Sequence, residues 1–253
     1  MLYQIFDTIF LYLGPSCETP VDLAFILDSS GSLKDEYHKE KEFINEVIST
    51  FDIGEDKSRA GVVTFSQDAE LSIQLNSHYE IASLKDAVET IPLMGNTTRI
   101  DKALRLAQDL VFLERNGGRV GLPKVLILLT DGSQTEGEDQ EDPVHVANEI
   151  RASGIKLLVI GIGSGIDRAE LIKIGGGDRN VFTAASFDQL IEGKFIQKIS
   201  TGSCAEAKSS IVAHPEGEFD GMIILLYIRN YKIYIISAVF LTSSAYGLMG
   251  QCI

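Results

Sequence analysis

The chain has 253 residues, with 36 Asp and Glu against 22 Lys and Arg, and a formal net charge of −14. That length is enough for one α/β domain with tails, or two small domains, and for a full buried core. The acidity argues against a phosphate-backbone binder, which needs a basic face, and suits a soluble surface with basic or cation-bridged partners.

Met1 to Leu13 is apolar except for Gln4, Asp7 and Thr8. It has no basic n-region and Asp7 interrupts its apolar run, so residues 1–16 read as a weak or incomplete signal peptide, with Gly14 and Ser16 as its small residues. Val21–Leu27 has the length and composition of a buried strand. Lys34 to Phe51 reads as a helix, with Phe43, Ile44, Val47, Ile48 and Phe51 at helical spacing. Arg59–Phe65 is the next strand, and Glu70–Leu75 alternates like a half-exposed edge strand paired with it as a hairpin. Ile81–Ile91 is a short helix that Pro92 ends. Ile100–Leu113 is a helix with an apolar stripe at Ala103, Leu104, Leu106, Ala107, Leu110 and Val111, broken by Gly117-Gly118.

Lys124–Leu129 reads as a central strand. Glu136 to Asp142 follows it, with five acids in seven residues. Such runs are solvated loops first, and modulators of approach to a site second. Pro143–Ser153 is a helix closed by Gly154. Lys156–Ile160 is a strand, and Asp167–Ile174 and Phe187–Ile199 are helices around a short strand near Val181–Phe182. Strands alternating with helices imply an α/β fold, a doubly wound, mostly parallel sheet with one antiparallel edge strand. Ligands of such sheets bind beyond the carboxyl ends of the strands, at the switch point.

Thr201–Asp220 changes to a polar, linker-like texture, and Met222–Gly250 is strongly apolar around Arg229 and Lys232. Its uncharged part, Ile233–Gly250, is 18 residues long, the lower edge for a membrane span. Basic residues on its N-terminal flank would place that flank in the cytoplasm. Two readings of the tail stay open, a membrane anchor and non-native sequence.

Three stretches carry the chemistry. Asp28-Ser29-Ser30-Gly31-Ser32 ends the first strand, so Asp28, Ser30 and Ser32 share a strand-to-helix turn. Short oxygen-bearing side chains there suit a hard cation such as Mg²⁺, and equally a plain helix N-cap. Gly95-Asn96-Thr97-Thr98-Arg99-Ile100-Asp101 precedes an amphipathic helix. Lys124 to Gly132 ends a buried strand on Asp131 and a glycine. Together they resemble the von Willebrand factor type A domain with its metal-ion-dependent adhesion site, over roughly Val21 to Ser200. In texture they are closest to matrilin, collagen-VI-like and cochlin-like extracellular A domains.

That resemblance matches the family's Asp-x-Ser-x-Ser, distant Thr and distant Asp to Asp28, Ser30, Ser32, Thr97 and Asp131. It implies that the Ser30 and Ser32 hydroxyls bind Mg²⁺ or Mn²⁺ directly. Thr97 would bind directly or through water, and Asp28 and Asp131 would hold waters and the serines. An open coordination position would take an Asp or Glu of a protein ligand, such as a collagenous or other matrix component. The implied function is an extracellular adhesion or matrix-interaction module and not an enzyme. The resemblance also implies a Cys17–Cys204 disulfide at the ends of a domain spanning residues 17–204, then a linker, 205–221, and the tail, 222–253.

Other signals point elsewhere only faintly. The three cysteines, Cys17, Cys204 and Cys252, form no CxxC pair, so zinc and thioredoxin-type chemistry have no support. Gly161-Ile162-Gly163-Ser164-Gly165 lacks full dinucleotide-loop spacing, and the chain has no P-loop, HExxH or G-x-S-x-G. The competing classes are a metal-dependent hydrolase, which would need a base near the ion, and a structural module without ligand binding. Asn96-Thr97-Thr98 is a glycosylation sequon beside the proposed ion.

Overall fold

The computed structural model describes residues 20–137, 139–191, 196, 197 and 199, and the backbone of Met222–Arg229 and Lys232–Phe240. The chain divides into two units, Met1–Ile211 and Val212–Ile253.

The first unit is built on β1 (Asp22–Asp28), β2 (Arg59–Phe65), β3 (Ala69–Ile73), β4 (Lys124–Thr130), β5 (Lys156–Ile162) and β6 (Val181–Ala184). They form one sheet in the order β3-β2-β1-β4-β5-β6. All neighbours are parallel except β2 and β3, which form the expected antiparallel edge. The helices are α1 (Tyr37–Ile48), α2 (Ile81–Thr90), α3 (Ile100–Leu106), α4 (Pro143–Ala152), α5 (Arg168–Gly175) and α6 (Phe187–Ile191).

β1 is buried at every position, because both sheet faces are covered. Its side chains alternate between two cores. Leu23, Phe25 and Leu27 join Phe43, Ile44, Val47 and Phe187 on one face. Ala24 and Ile26 join Leu104, Ala107, Val146 and Ile150 on the other. Each fully buried Phe, Leu or Ile stabilises the fold by about 1.5–3 kcal/mol relative to exposure. Gly61 is required by close approach, since a Cβ there would lie 2.9 Å from the Ile73 carbonyl oxygen, beside the bulge between β2 and β3.

Two elements depart from the sequence reading. The first helix starts at Tyr37, after a 3-10 turn over Gly31–Leu33. The turn seats buried Leu33 in the core and leaves Lys34, Asp35 and Glu36 exposed. The helix expected over 100–113 passes into a π turn at Ala107–Val111. Asn116 then closes the segment by donating its Nδ2 hydrogen to the Leu110 carbonyl. In the second unit Met222–Arg229 and Lys232–Phe240 pair as an antiparallel ribbon. Among the described residues no helix is long and apolar enough to cross a membrane. Cys17, Cys204 and Cys252, and hence the expected disulfide, lie outside the described residues.

Candidate metal centre

β1 and β4 are neighbours in register, with Ile26 opposite Leu128. Their carboxyl ends therefore place Asp28 beside Thr130, one residue before Asp131. Asp28 is 0% exposed. Its Oδ1 accepts from the Ser30 N–H at 2.9 Å, and its Oδ2 from the Thr130 hydroxyl at 2.8 Å. The first contact curls the chain after β1 so that the Ser30 and Ser32 hydroxyls lie 3.0 Å apart. Ser30 is buried and Ser32 exposed, so the pair forms a step from interior to solvent.

The loop after α2 is stitched onto this turn. The Gly95 N–H donates to the Ser29 carbonyl at 2.8 Å, the Met94 N–H to the Ser29 hydroxyl at 2.6 Å, and the Gly31 N–H to the Asn96 carbonyl at 3.1 Å. Gly95 and Asn96 have φ of 76° and 74°, a left-handed pair that reverses the chain. The reversal decides which threonine faces inward. Thr97 is exposed, whereas Thr98 is 8% exposed. Thr98 lines a cleft of about 540 Å³ with Ser32, Glu36, Asp131 and Gly132, and Thr97 does not. Of the two threonines it is therefore Thr98, and not the expected Thr97, that the structure brings to the cleft. Adjacent threonines are equivalent on paper, and only the backbone turn separates them.

The far wall of the cleft is Gly163-Ser164-Gly165 together with Ala185 and Ser186. A Cβ at Gly165 would lie 2.8 Å from the Asp131 carbonyl oxygen, so a larger residue there would displace Asp131. Asp131 is half-buried at the rim. Ser32, Thr98 and Asp131 thus border one opening, and buried Ser30 joins it to Asp28 through its contacts with the Ser32 hydroxyl and the Asp28 carboxylate.

Burial pushes the Asp28 carboxyl up to about 6, against the hydrogen bonds from Ser30 and Thr130. Among the described residues no cationic side chain pairs with Asp28 or Asp131. A buried carboxylate of this kind calls for positive charge. Among the described residues no three His, Cys, Asp or Glu side chains form a metal cage. The donors present are chiefly hydroxyls, with two acids, a set that fits a hard, partly hydrated divalent ion.

The acidic loop is less open than its composition suggests. Glu141 is paired with Arg105, and Asp142 caps α4 by accepting from the Val144 N–H at 2.9 Å. Glu136 and Asp139 remain exposed.

A second buried acid lies under the site, and the sequence reading did not single it out. Glu40 on α1 is 0% exposed, and among the described residues neither carboxyl oxygen has a hydrogen-bond partner. Burial first, then the charges of Asp28 and Asp131, raise its carboxyl well above the usual range. Its signal was its spacing, because Glu40 falls on the stripe of Tyr37, Phe43, Ile44 and Val47.

Comparison with known proteins identifies the family and the fold. The family model of the von Willebrand factor type A domain matches residues 22–198. The chain is 30% identical over 193 residues to von Willebrand factor A domain-containing protein 2 of Xenopus laevis, covering 76% of this chain and 23% of that protein. It is 35% identical over 166 residues to human matrilin-1, covering 64% of this chain and 32% of matrilin-1. The chain therefore spans a third or less of the length of these two relatives. Among solved structures it resembles proximal thread matrix protein 1 from the mussel byssus with a zinc-occupied MIDAS motif. That match has a TM-score of 0.67 and 30% identity, and covers 75% of this chain and 47% of the other.

Proposed function

Since the chain belongs to the von Willebrand factor type A domain family, we propose that it is an extracellular adhesion module, holding matrix protein ligands through Mg²⁺ or Mn²⁺ at the strand-end cleft. The observation that carries this reading is the buried Asp28, without a cationic partner among the described residues, beneath two serine hydroxyls 3.0 Å apart. Similarity to matrilin-1 and to a byssus protein whose MIDAS motif holds zinc supports the same class.

Ser30, Ser32 and Thr98 would hold the ion through their hydroxyls. Asp28 keeps the Ser30 backbone and the Thr130 hydroxyl in place, and Asp131 supplies the second acid. When bound, the ion would supply a Lewis acid able to take an Asp or Glu of the partner. Few direct carboxylates leave it electrophilic enough to want that ligand. The small, hydroxyl-bearing wall at Ser164 and Ser186 leaves space beside it. The three ion-site stretches contain no histidine, and no covalent bond changes in this reading. The working module is residues 17–204, closed by a Cys17–Cys204 disulfide, in a secreted or matrix-associated protein.

The test has two parts. Millimolar Mg²⁺ or Mn²⁺ stabilises the folded state by mass action, about 2.7 kcal/mol at a hundredfold excess over Kd. The melting temperature should rise in the parent and stay unchanged in Asp28→Ala. Immobilised protein should bind collagenous matrix components in Mg²⁺ but not in EDTA, and the Ser30→Ala, Ser32→Ala double variant should not bind. Equal binding in all three conditions would remove the ion from the adhesion mechanism.

A further inference from the structure

We propose that Arg99, Asp101, Gln134 and Thr135 form a positioning clasp that locks Thr98 to the segment following Asp131 and thereby sets the site's affinity for its ion. The inference rests on the ion-site reading above and adds to it four residues that touch no ion.

The clasp has two halves. In the first, Thr98 and Thr135 exchange hydrogen bonds. The Thr135 N–H donates to the Thr98 carbonyl at 2.9 Å, and the Thr98 N–H donates to the Thr135 hydroxyl at 3.1 Å. Both main-chain groups of the inward-facing threonine are thus held by one residue, four positions beyond Asp131.

The second half holds that contact in place. Arg99 grips Asp101 through Nε and Nη2 at 2.9 and 2.7 Å. The same carboxylate accepts from Gln134 Nε2 at 2.6 Å and from the Glu141 N–H at 3.0 Å, while the Asp101 N–H donates to Gln134 Oε1 at 3.1 Å. Arg99 Nη2 also reaches the Asp139 carbonyl at 3.1 Å, and the Arg99 N–H donates to the Ser66 carbonyl at 2.9 Å. Burial pushes the Asp101 carboxyl up, but the bonds from Arg99, Gln134 and the Glu141 N–H outweigh it and hold it at about 2. The pair therefore stays ionised at any physiological pH.

A buried ion pair adds little stability over an apolar replacement of the same shape. What it provides is direction. Four donors fill the acceptor sites of one carboxylate, and two of them come from the loop that follows Asp131. Asp101 ties the start of α3, and with it Thr98, to that loop at Gln134 and Glu141. The two sides of the cleft then move as one body, and the Thr98 hydroxyl is preorganised before an ion arrives.

The experiment uses the full chain with Thr135→Val, which keeps the shape but removes the acceptor for the Thr98 N–H, and Thr135→Ser, which keeps it. In EDTA, the Thr98 amide should exchange with solvent about tenfold faster in Thr135→Val, while the Ile26 and Leu128 amides stay as in the parent. The Mn²⁺ dissociation constant, measured by calorimetry, should rise by about three- to tenfold, the loss of one hydrogen bond. Thr135→Ser should match the parent in both readings. Asp101→Asn, which breaks the fork while keeping its shape, should shift both further in the same direction. Unchanged Thr98 exchange, or Mn²⁺ affinity in Thr135→Val equal to the parent's, would overturn the clasp. A parent that binds no Mn²⁺ would overturn the ion-site reading instead, and the exchange data would still decide whether the clasp holds Thr98.

Discussion

Glu40→Met should make the domain more stable and flatten its dependence on pH. Glu40 is 0% exposed, and among the described residues its carboxyl oxygens have no hydrogen-bond partner. Burying an unsatisfied polar group costs about 1–3 kcal/mol, and methionine fills nearly the same volume without it. The carboxyl also titrates. Burial, reinforced by Asp28 and Asp131, keeps it protonated in the folded state above the pH at which the unfolded chain releases the proton. The folded state then binds the extra proton, so stability is complete below the ordinary carboxylate value. It falls as pH rises from there toward the raised value, by up to about 1.4 kcal/mol per pH unit.

The variant should gain about 1–3 kcal/mol at pH 5, roughly 2–12 °C in melting temperature for a domain of this size. The gain should grow with pH. Glu40→Gln keeps the unpartnered polar group but cannot ionise, so it should lose the slope and gain little at pH 5. Melting curves in EDTA between pH 4.5 and 7.5 give the answer as a difference from the parent, which cancels the titration of Asp28. Parallel curves for Glu40→Met and the parent, or a variant less stable than the parent, would refute the reasoning.

Three further predictions concern the termini and the acidic loop. Non-reducing peptide mapping of secreted protein should find Cys17 linked to Cys204, a bridge worth on the order of 4–5 kcal/mol for a loop that long; finding both freely alkylated would remove the bridge. Glu136→Gln with Asp139→Asn should slow ligand association and weaken its salt dependence while leaving dissociation nearly unchanged, since both residues are exposed and Asn accepts the φ of 58° at position 139. Glu141→Gln should instead lower the melting temperature, because Glu141 is committed to Arg105.

What could be read in the sequence follows from the physics of each element. The strands stood out because both sheet faces are covered, so β2 appeared as an uninterrupted run over Arg59–Phe65 and that is where it lies. The edge strand alternates because one side of it meets solvent. The first helix was placed three residues early because helical periodicity cannot show that a 3-10 turn precedes it. That Asp28, Ser30 and Ser32 share a turn at the end of the first strand, and that Asp131 ends another, was legible from the apolar runs before them. Thr98 was not, because the left-handed pair at Gly95 and Asn96 is a backbone fact. The clasp was beyond reach for a related reason. Arg99 and Asp101 are two apart, a spacing that places residues on different faces of a regular helix, and their partners lie 33 to 40 residues away.

The residues proposed to surround the ion are separated by more than a hundred positions, and strand register is what closes that gap. Asp28 meets Thr130 only because Ile26 lies opposite Leu128 in the parallel pair. A slip of β4 by one residue would turn Leu126 and Leu128 out of their core and Ile127 and Leu129 out of the other. It would also replace the Thr130 hydroxyl beside Asp28 with a leucine or a second carboxylate. Two apolar cores of opposite parity therefore fix the register that the site needs. With that register set, Ser29, Thr135 and Gly165 each bring one more loop against it. Every one of these contacts falls between residues 22 and 165, within the described part of the first unit.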